Sequence, residues 1–599
     1  MSERRPPDEQ PPSPPTEEQD PTALTRRNLL RWGALAGAAA PFAGLPSAAH
    51  ADSVVAPAIH LEEATIAGLQ AAMERGGLNS QGLVQMYIDR IRALDEKGPQ
   101  INSVLEVNPD AVKIAKELDK ERKAHGPRGP LHGIPIMLKA NIDTADHMST
   151  TAGSLSLVGT PPHQDATVAA RLRAAGAVIL GKTNLSEWAN FRGFNSTSGW
   201  SGQGGQTRNP YVLDRNPCGS SSGSAASVAA NLTAAGLGTE TDGSIVCPAT
   251  INGVVGIKPT VGLTSRAGVI PISHTQDTVG PHARTVADAA AVLSALVGVD
   301  PRDPATAASA GHFSTDYTQF LDPHGLEGKR IGVVRGGGFT GYSLSTDAAF
   351  EDALATMADA GAVLIESEIP TIDQLNSDQA EIIVLIYEFK RDLDAYLATR
   401  TGVPVHTVAD IIAFNNTHAD QELQFFGQEF FELAQADIFS AQEYADALVR
   451  GHKLAGPDGI DAALAADNLV ALVAPTGSPA WPNDLVNGDH FLGASSSPCA
   501  VAGYPIINVP MGFGFGLPLG ISFMGTAFSE GKLIGLASGF EAAMEARRRP
   551  TYIPTLPLPK GVTAFGGKAL QRAQATKSAL QRRIDALPPS FRARLFGAL

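Results

Sequence analysis

Short, almost continuous apolar segments recur along the chain, and they constrain its fold most strongly. Segment 133–139, GIPIMLK, is apolar up to its final lysine, and 177–184, AVILGKTN, follows the same pattern. Similar segments lie at 330–334, 471–475, 505–510 and 519–525. Such segments are typical of strands buried on both faces of a sheet. Helical patterns alternate with them, so the sequence predicts an α/β fold: one large domain whose mixed, mostly buried β-sheet is covered by helices on both faces.

Three helical regions matter for this interpretation. Small residues predict a helix over 167–175, and an alanine-rich pattern predicts another over 224–235. Residues 301–464 are richer in helical patterns than the rest of the chain, so we expect them to form a cap over the functional site.

Composition excludes several classes of function. The chain has 599 residues and a net charge of −15, which disfavours nucleic acid as a partner. The three cysteines, Cys218, Cys247 and Cys499, are too few for a disulfide framework and lack zinc-ligand spacing. We expect Cys218 and Cys247 to pack as small buried side chains, and we predict neither a metal nor another cofactor.

The N-terminal 51 residues have the pattern of a leader. Residues 1–23 are rich in proline and acidic residues, which is typical of disorder. Arg26 and Arg27 precede an apolar stretch, the pattern of a twin-arginine export signal, and AHA at 49–51 predicts cleavage before Asp52. We therefore expect a periplasmic or extracellular protein that meets the export machinery during secretion, while an uncleaved membrane anchor is the alternative. This route carries already folded proteins, and folding in the cytoplasm agrees with the low cysteine content.

The remainder divides into a domain at 52–559 and a basic tail at 560–599. The tail contains eight lysines and arginines against one aspartate, and 569–587 has a helical pattern. Weak contact with anionic envelope surfaces is one interpretation of the tail, and a solvated segment without a partner is the other.

Serines stand in several motifs that compete as candidate nucleophiles. Residues 219–223, GSSSG, match the G-x-S-x-G nucleophile elbow, but a loop rather than a strand precedes them. Residues 529–532, SEGK, match S-x-x-K at the start of an ordinary amphipathic helix. Neither match has the structural context that its chemistry requires.

A longer arrangement is more specific. It consists of LHGIPIMLKANID at 131–143, PCGSSSGSAASVAAN at 217–231 and GTETDGSIVCPATINGVVGIKPT at 238–260. In this order and spacing the three segments resemble the amidase signature family of serine hydrolases. The sequence of residues 196–224, together with LIYEFK and FGQE further on, is similar to the corresponding sequences of the peptide amidases of that family.

The resemblance implies the amidase signature fold and a Ser-Ser-Lys triad: Ser244 as nucleophile, Ser220 as bridging serine and Lys139 as base. A free lysine has a pKa of about 10.4, so burial has to lower it before the amine can accept a proton. The resemblance implies hydrolysis of carboxamides to carboxylate and ammonia through an acyl-enzyme, without a cofactor. Peptide amidases cleave the C-terminal amide of peptides, so the expected partner is a peptide or small-molecule amide.

The family pattern also implies the surroundings of the nucleophile. Backbone N–H groups of Thr241, Asp242, Gly243 and Ser244 would form the oxyanion hole, and Gly219–Ser220 would be a cis peptide bond. Trp188, Ala189 and Asn190 fall where the family lines its substrate pocket, although core packing is an equal explanation for Trp188.

Two departures from the family pattern stand close to the triad. Ala140 follows the lysine where many members have aspartate, which removes a group that would orient Lys139. The usual DTGGS loop is ETDGS here, with Glu240 and Asp242. We expect the loop change to be tolerated, because backbone groups make the oxyanion hole.

Other functions share part of this pattern. The same mechanism serves small aliphatic, aryl or fatty-acyl amides. The amidotransferase that feeds ammonia to a tRNA-bound substrate shares the core, but an export signal places this chain away from tRNA. A non-catalytic exported binding protein on the same fold is an alternative of another class, and the joint presence of Lys139, Ser220 and Ser244 disfavours it.

Overall fold

The computed structural model describes residues 60–557. An eleven-stranded mixed sheet forms the centre of this part of the chain. These residues lie in one compact unit. The strands are β1 Val104–Val107, β2 Pro135–Lys139, β3 Val178–Thr183, β4 Trp200–Ser201, β5 Gly205–Gln206, β6 Ala235–Glu240, β7 Val255–Lys258, β8 Thr278–Ala283, β9 Arg330–Val334, β10 Val363–Ser367, β11 Ala471–Pro475, β12 Ile506–Gly514 and β13 Leu517–Met524. All but β4 and β5, which pair with each other, belong to the large sheet.

The spatial order of the large sheet is β1-β3-β2-β6-β8-β7-β12-β13-β11-β9-β10. β2 runs parallel to both of its neighbours, β3 and β6, while β6 and β8 are antiparallel. Register places Ile136 opposite Ala235 and Leu138 opposite Leu237. Since parallel strands end at the same edge, the carboxyl ends of β2 and β6 lie side by side there.

Helices cover the sheet on both faces, as the sequence predicts. They are α1 Ile66–Glu74, α2 Ser80–Arg90, α3 Ala111–His125, α4 Thr167–Ala174, α5 Ser222–Ala229, α6 Val246–Ile251, α7 Val286–Leu296, α8 Leu344–Asp359, α9 Ile372–Ser377, α10 Ala380–Leu397, α11 Val408–Thr417, α12 Ala419–Glu422, α13 Glu429–Gln435, α14 Ala441–Ala455, α15 Ala462–Ala466, α16 Ser497–Ala502 and α17 Glu530–Met544. None of the described helices is long and apolar enough to cross a membrane.

Side-chain size on β6 explains how closely one helix approaches the sheet. A Cβ atom built on Gly236 would lie 3.2 Å from the carbonyl oxygen of Ser224 in α5. Ala235 and Leu237, on the opposite face of the strand, belong to the main apolar core. Glycine on one face thus lets α5 sit against the strand, and α5 begins two residues after Ser220.

Two expectations about helices need correction. The alanine-rich helix covers Ser222–Ala229 rather than 224–235, because Asn231 has a left-handed backbone (φ 57°) and Ala235 begins β6. Residues 301–464 are not a separate helical cap, because β9 and β10 within them extend the large sheet. Helices α10, α11 and α13 do pack in one apolar cluster with Trp188 and Phe191.

The predicted leader at 1–51 and the basic tail at 560–599 lie outside the described residues. Their assignments, including the twin-arginine signal, the cleavage site and the envelope contact, remain predictions.

Candidate active site

Lys139 ends β2 at the edge where β6 also ends. Its side chain is completely buried. Nζ lies 2.8 Å from Ser220 Oγ and 2.8 Å from Thr239 Oγ1, and it donates to the Thr239 carbonyl oxygen at 3.3 Å. The structure therefore brings Lys139 and Ser220 together across 81 positions of sequence.

Burial lowers the pKa of Lys139 to about 7, although the negative charges of Asp277 and Glu240 oppose this shift. A large fraction of the amine is then neutral near neutral pH. Thr239, rather than residue 140, contacts the lysine, and Asn141 Nδ2 also donates to Thr239 Oγ1 at 3.0 Å. The missing aspartate at Ala140 leaves Lys139 held by a threonine of the neighbouring strand.

Ser220 lies in the loop before α5. The Gly219–Ser220 peptide bond is cis, as the resemblance implies. The two serines that follow have structural partners: Ser221 Oγ donates to the Thr239 carbonyl oxygen at 3.0 Å, and Ser222 Oγ donates to the Cys218 carbonyl oxygen at 2.6 Å. The central serine of the G-x-S-x-G match, Ser221, is thus a fully buried packing residue.

Ser244 lies in the turn between β6 and α6. Within residues 60–557 its Oγ makes no hydrogen bond, and 9% of the residue surface is exposed. In the same part of the chain, the N–H groups of Thr241, Asp242, Gly243 and Ser244 donate to no protein acceptor. Gly243 has φ of +76°, a left-handed conformation that favours glycine. The turn thus presents a hydroxyl and backbone donors that the described protein atoms leave available.

Glu240 and Asp242 hold this turn in place. Glu240 Oε2 accepts hydrogen bonds from Ile245 N at 2.6 Å and Val246 N at 3.0 Å. Asp242 accepts from Ser497 Oγ at 2.6 Å and also from Ser496 Oγ. Glu240 Oε2 and both oxygens of Asp242 thus accept from internal donors, while Glu240 Oε1 has no hydrogen-bond partner among the described residues, and these contacts fix the shape of the loop. Burial raises the pKa of each carboxyl group.

Two residues of the β8 region also contact the turn. Thr241 Oγ1 donates to Asp277 Oδ1 at 2.6 Å, and His282 Nε2 lies 2.9 Å from the carbonyl oxygen of Ile245. Burial lowers the pKa of His282 to about 4, so this imidazole is neutral near neutral pH. The turn that carries Ser244 is therefore anchored to both β6 and β8.

The cysteine expectation is wrong. Cys218 and Cys247 form a disulfide, with Cα atoms 6.0 Å apart, while Cys499 is a buried free thiol. The count of cysteines does not indicate this pair, because proximity depends on how the two serine loops meet. The bridge joins the residue before Gly219 to the second residue of α6.

A cavity of about 390 Å³ opens beside these loops, and Gly219, Gly243 and both bridged cysteines line it. Asp242 and Asp489 are the charged residues of its described lining, which contains no lysine, arginine or histidine. Its wall also includes the aromatic residues Phe194, Trp481 and Phe491, and the side chains of Phe194 and Phe491 are 63% and 46% exposed. The lining therefore combines two acidic residues with three aromatic ones, two of which are largely exposed.

The three residues predicted for the substrate pocket lie in two different environments. Asn190 lines the cavity. Trp188 is buried and packs edge-on against Phe431, with ring centroids 5.4 Å apart, and Ala189 packs against the same apolar cluster. Several other residues at the site were not singled out from the sequence. Thr239 stands in the quoted segment 238–260 but is ordinary in type, and the others are also distant in the chain; they are Asp277, Ser496 and Ser497.

Other candidate features lie elsewhere. Ser529 of the S-x-x-K match donates to the Thr526 carbonyl oxygen at 2.6 Å. His274, Glu388 and Asp392 are the described residues whose potential metal-ligand atoms come within 4.8 Å of one another. His274 Nδ1 lies 2.9 Å from Asp392 Oδ2, so the group is already organised as an ion pair when the imidazole is charged.

Several known proteins are similar to this chain. A family model described as Amidase matches residues 82–534. The chain is 54% identical to the native peptide amidase from Stenotrophomonas maltophilia, with a TM-score of 0.78, covering 82% of this chain and 99% of that one. An Arabidopsis thaliana protein named "Probable amidase" is 44% identical over 502 residues, which cover 82% of this chain and 92% of the relative. An amidase family protein from Bacillus anthracis is 35% identical, with a TM-score of 0.73 and coverage of 82% and 93%.

Proposed function

Since the chain belongs to the amidase family and is an amidase, we propose that it hydrolyses the C-terminal carboxamide of peptides through a Ser-Ser-Lys triad. One observation carries the proposal: a fully buried lysine lies 2.8 Å from Ser220 Oγ, next to a turn whose Ser244 hydroxyl has no partner among the described residues.

The hydrogen-bond pattern supports Lys139 as the base. A neutral amine has two N–H donors and one lone pair. Thr239 supplies two acceptors, its Oγ1 and its carbonyl oxygen, so the lone pair is left for the Ser220 hydroxyl at 2.8 Å. With its pKa near 7, the amine can accept a proton at neutral pH.

The proposed reaction begins when Ser244 Oγ attacks the amide carbon. Its proton passes to Ser220 Oγ, whose own proton passes to Lys139 Nζ. The protons return along the same path to the amide nitrogen, the C–N bond breaks, and ammonia leaves. Water then attacks the acyl-enzyme, releasing the carboxylate and restoring Ser244.

Charge develops on the carbonyl oxygen during both attacks. The N–H groups of Thr241 to Ser244 can donate to it, and Glu240 and Asp242 hold the turn so that these donors are oriented before the substrate arrives. Donors fixed in advance stabilise the transition state more than the uncharged ground state.

The cavity favours an uncharged carboxamide over a free carboxylate. Its described lining carries two aspartates and no cation, so a C-terminal carboxylate would find no counter-ion. The likeness to a peptide amidase supports a peptide as the acyl part. Small aliphatic, aryl and fatty-acyl amides are the alternative substrates.

Ammonia release from a panel of amides tests the proposal. The panel contains dipeptide amides, single amino-acid amides, aliphatic amides and fatty-acid amides, each assayed with wild type, Ser244→Ala and Ser529→Ala. We expect peptide amides to react fastest, and Ser244→Ala to lower kcat at least about 10³-fold because it removes the nucleophile.

Ser529→Ala is the matched control, because it removes the serine of the competing S-x-x-K match and should retain activity. Undiminished turnover in Ser244→Ala would refute the mechanism. Activity restricted to fatty-acid amides would refute only the peptide assignment, and no activity on any amide with a folded Ser244→Ala variant that still binds peptide would favour the binding protein.

The N-terminal motifs bear on where the enzyme acts, and we propose that it works outside the cytoplasm. Arg26 and Arg27 support this, and so does the Cys218–Cys247 disulfide, since disulfides persist mainly in oxidising compartments.

A further inference from the structure

The disulfide joins the two loops that carry Ser220 and Ser244. Cys218 lies two residues before Ser220, and Cys247 lies three residues after Ser244. Both cysteines line the cavity beside these serines. Resting on the proposed function, we propose that the bridge is a positioning element of the reaction: it keeps Ser244 aligned with Ser220, so that reducing it slows turnover without unfolding the enzyme.

The other anchors hold each loop to the sheet rather than to the other loop. Ser220 is tied to β2 through Lys139 at 2.8 Å, and its neighbour Ser221 is tied to Thr239 of β6. The Ser244 turn is tied to β6 through Glu240 and to β8 through Asp277. Proton transfer depends on the distance between the two loops rather than on how either one meets the sheet. A covalent link between the loops fixes that distance directly.

Two hydrogen bonds also connect the two loops, but one is long and the other starts beyond α6. Ser221 N donates to the Ser244 carbonyl oxygen at 3.2 Å, at the weak end of the range for an N–H donor. Asn252 Nδ2 donates to the Pro217 carbonyl oxygen at 2.8 Å, but it does so from beyond the end of α6. Of these two hydrogen bonds between the loops, the one nearer to Ser220 and Ser244, from Ser221 N, is therefore the longer.

The bridge borders the cavity beside the serine loops. Cys218 and Cys247 are 4% and 6% exposed, and both face the cavity. A dithiol such as dithiothreitol would break the S–S bond by thiolate attack through a mixed disulfide. It gives up two electrons and two protons, becomes a cyclic disulfide, and leaves Cys218 and Cys247 as thiols.

The first experiment reduces folded wild-type enzyme and measures peptide amide hydrolysis. Thiol titration in denaturant follows cleavage, and circular dichroism checks that the fold persists. We expect kcat to fall at least about tenfold while KM stays within about twofold, since small misalignments of reacting groups carry large rate penalties. Reoxidation should restore kcat.

The second experiment uses Cys218→Ser/Cys247→Ser, with Cys499→Ala as the matched control for losing a cysteine. The double variant should have the low kcat of reduced enzyme and should not respond to reductant. Cys499→Ala should retain activity and lose it on reduction, as wild type does. If the double variant does not fold, reduced wild type still decides the question.

Unchanged kcat in fully reduced, folded enzyme would overturn the proposal, and so would a change confined to KM. Failure of the proposed function looks different, because oxidised wild type would then release no ammonia from any peptide amide.

Discussion

Lys139 is an amine kept in a place that water cannot reach. Burial lowers its pKa to about 7, and the opposing charges of Asp277 and Glu240 keep it from falling further. His282, also buried nearby, has its pKa lowered to about 4 and adds no positive charge near neutral pH. The pKa of Lys139 is therefore set by two opposing effects: burial lowers it, and the charges of the two carboxylates raise it.

Asp277→Asn should change the pH dependence of turnover. Activity of wild type should rise with pH through about 7, because only neutral Lys139 accepts a proton. Burial raises the pKa of Asp277 to about 6, so Asp277 is mostly charged in that range. Removing its charge should lower the pKa of Lys139 and move the acidic limb of the kcat/KM profile to lower pH.

The contrast with Thr241→Val controls for the hydrogen bond between Thr241 and Asp277. That variant loses the contact and leaves the Asp277 carboxyl in place, so its acidic limb should move less than that of Asp277→Asn. A limb that moves equally in both variants would show that loop position, rather than charge, sets the pKa.

At the scale of elements, acidic side chains hold the turn between β6 and α6 in place. One of them accepts hydrogen bonds from backbone N–H groups. Glu240 Oε2 takes two N–H groups at the start of α6, and Asp242 takes two hydroxyls from the start of α16. The acidic residues that differ from the usual family loop therefore supply contacts that the turn would otherwise lack.

Glu240→Ala and Glu240→Gln form a matched pair. Alanine leaves two buried N–H groups without a partner, so we expect the free energy of unfolding to fall by about 2–5 kcal/mol. Glutamine retains an acceptor oxygen and should lose about 1 kcal/mol or less. Urea unfolding measures both values, and equal losses in the two variants would contradict the assigned role.

For the whole molecule, the disulfide bears on the proposed export. The low cysteine content agreed with folding in the cytoplasm, yet two of the three cysteines are bridged. A chain that folds before export would carry reduced cysteines until it reaches an oxidising compartment. The bridge is internal to the fold, so it can close after the loops are already in place.

Fractionation of a producing cell tests the proposed export. We expect mature protein outside the cytoplasm, with an N-terminal sequence that begins at Asp52 and with Cys218 and Cys247 bridged. Arg26→Lys/Arg27→Lys should retain full-length, reduced protein in the cytoplasm. Mature protein that is found outside in equal amount from this variant would refute the twin-arginine route.

The sequence by itself predicted six of the eleven strands of the large sheet and, through the family resemblance, the candidate chemistry. Apolar segments such as 133–139 predict strands, because a sheet covered on both faces buries the side chains of each strand on both sides. Lys139, Ser220 and Ser244 could be singled out because their three segments occur together in the order and spacing of the family. That order is a property of the sequence, so no tertiary contact is needed to recognise it.

Only the tertiary structure decided which residues meet. The parallel pairing of β2 and β6 places Thr239 against Lys139, and the approach of the α5 and α6 loops brings Cys218 to Cys247. Trp188 belongs to the apolar core while Asn190, two residues later, lines the cavity. Such contacts depend on packing between segments far apart in the chain, where residue type alone gives no signal.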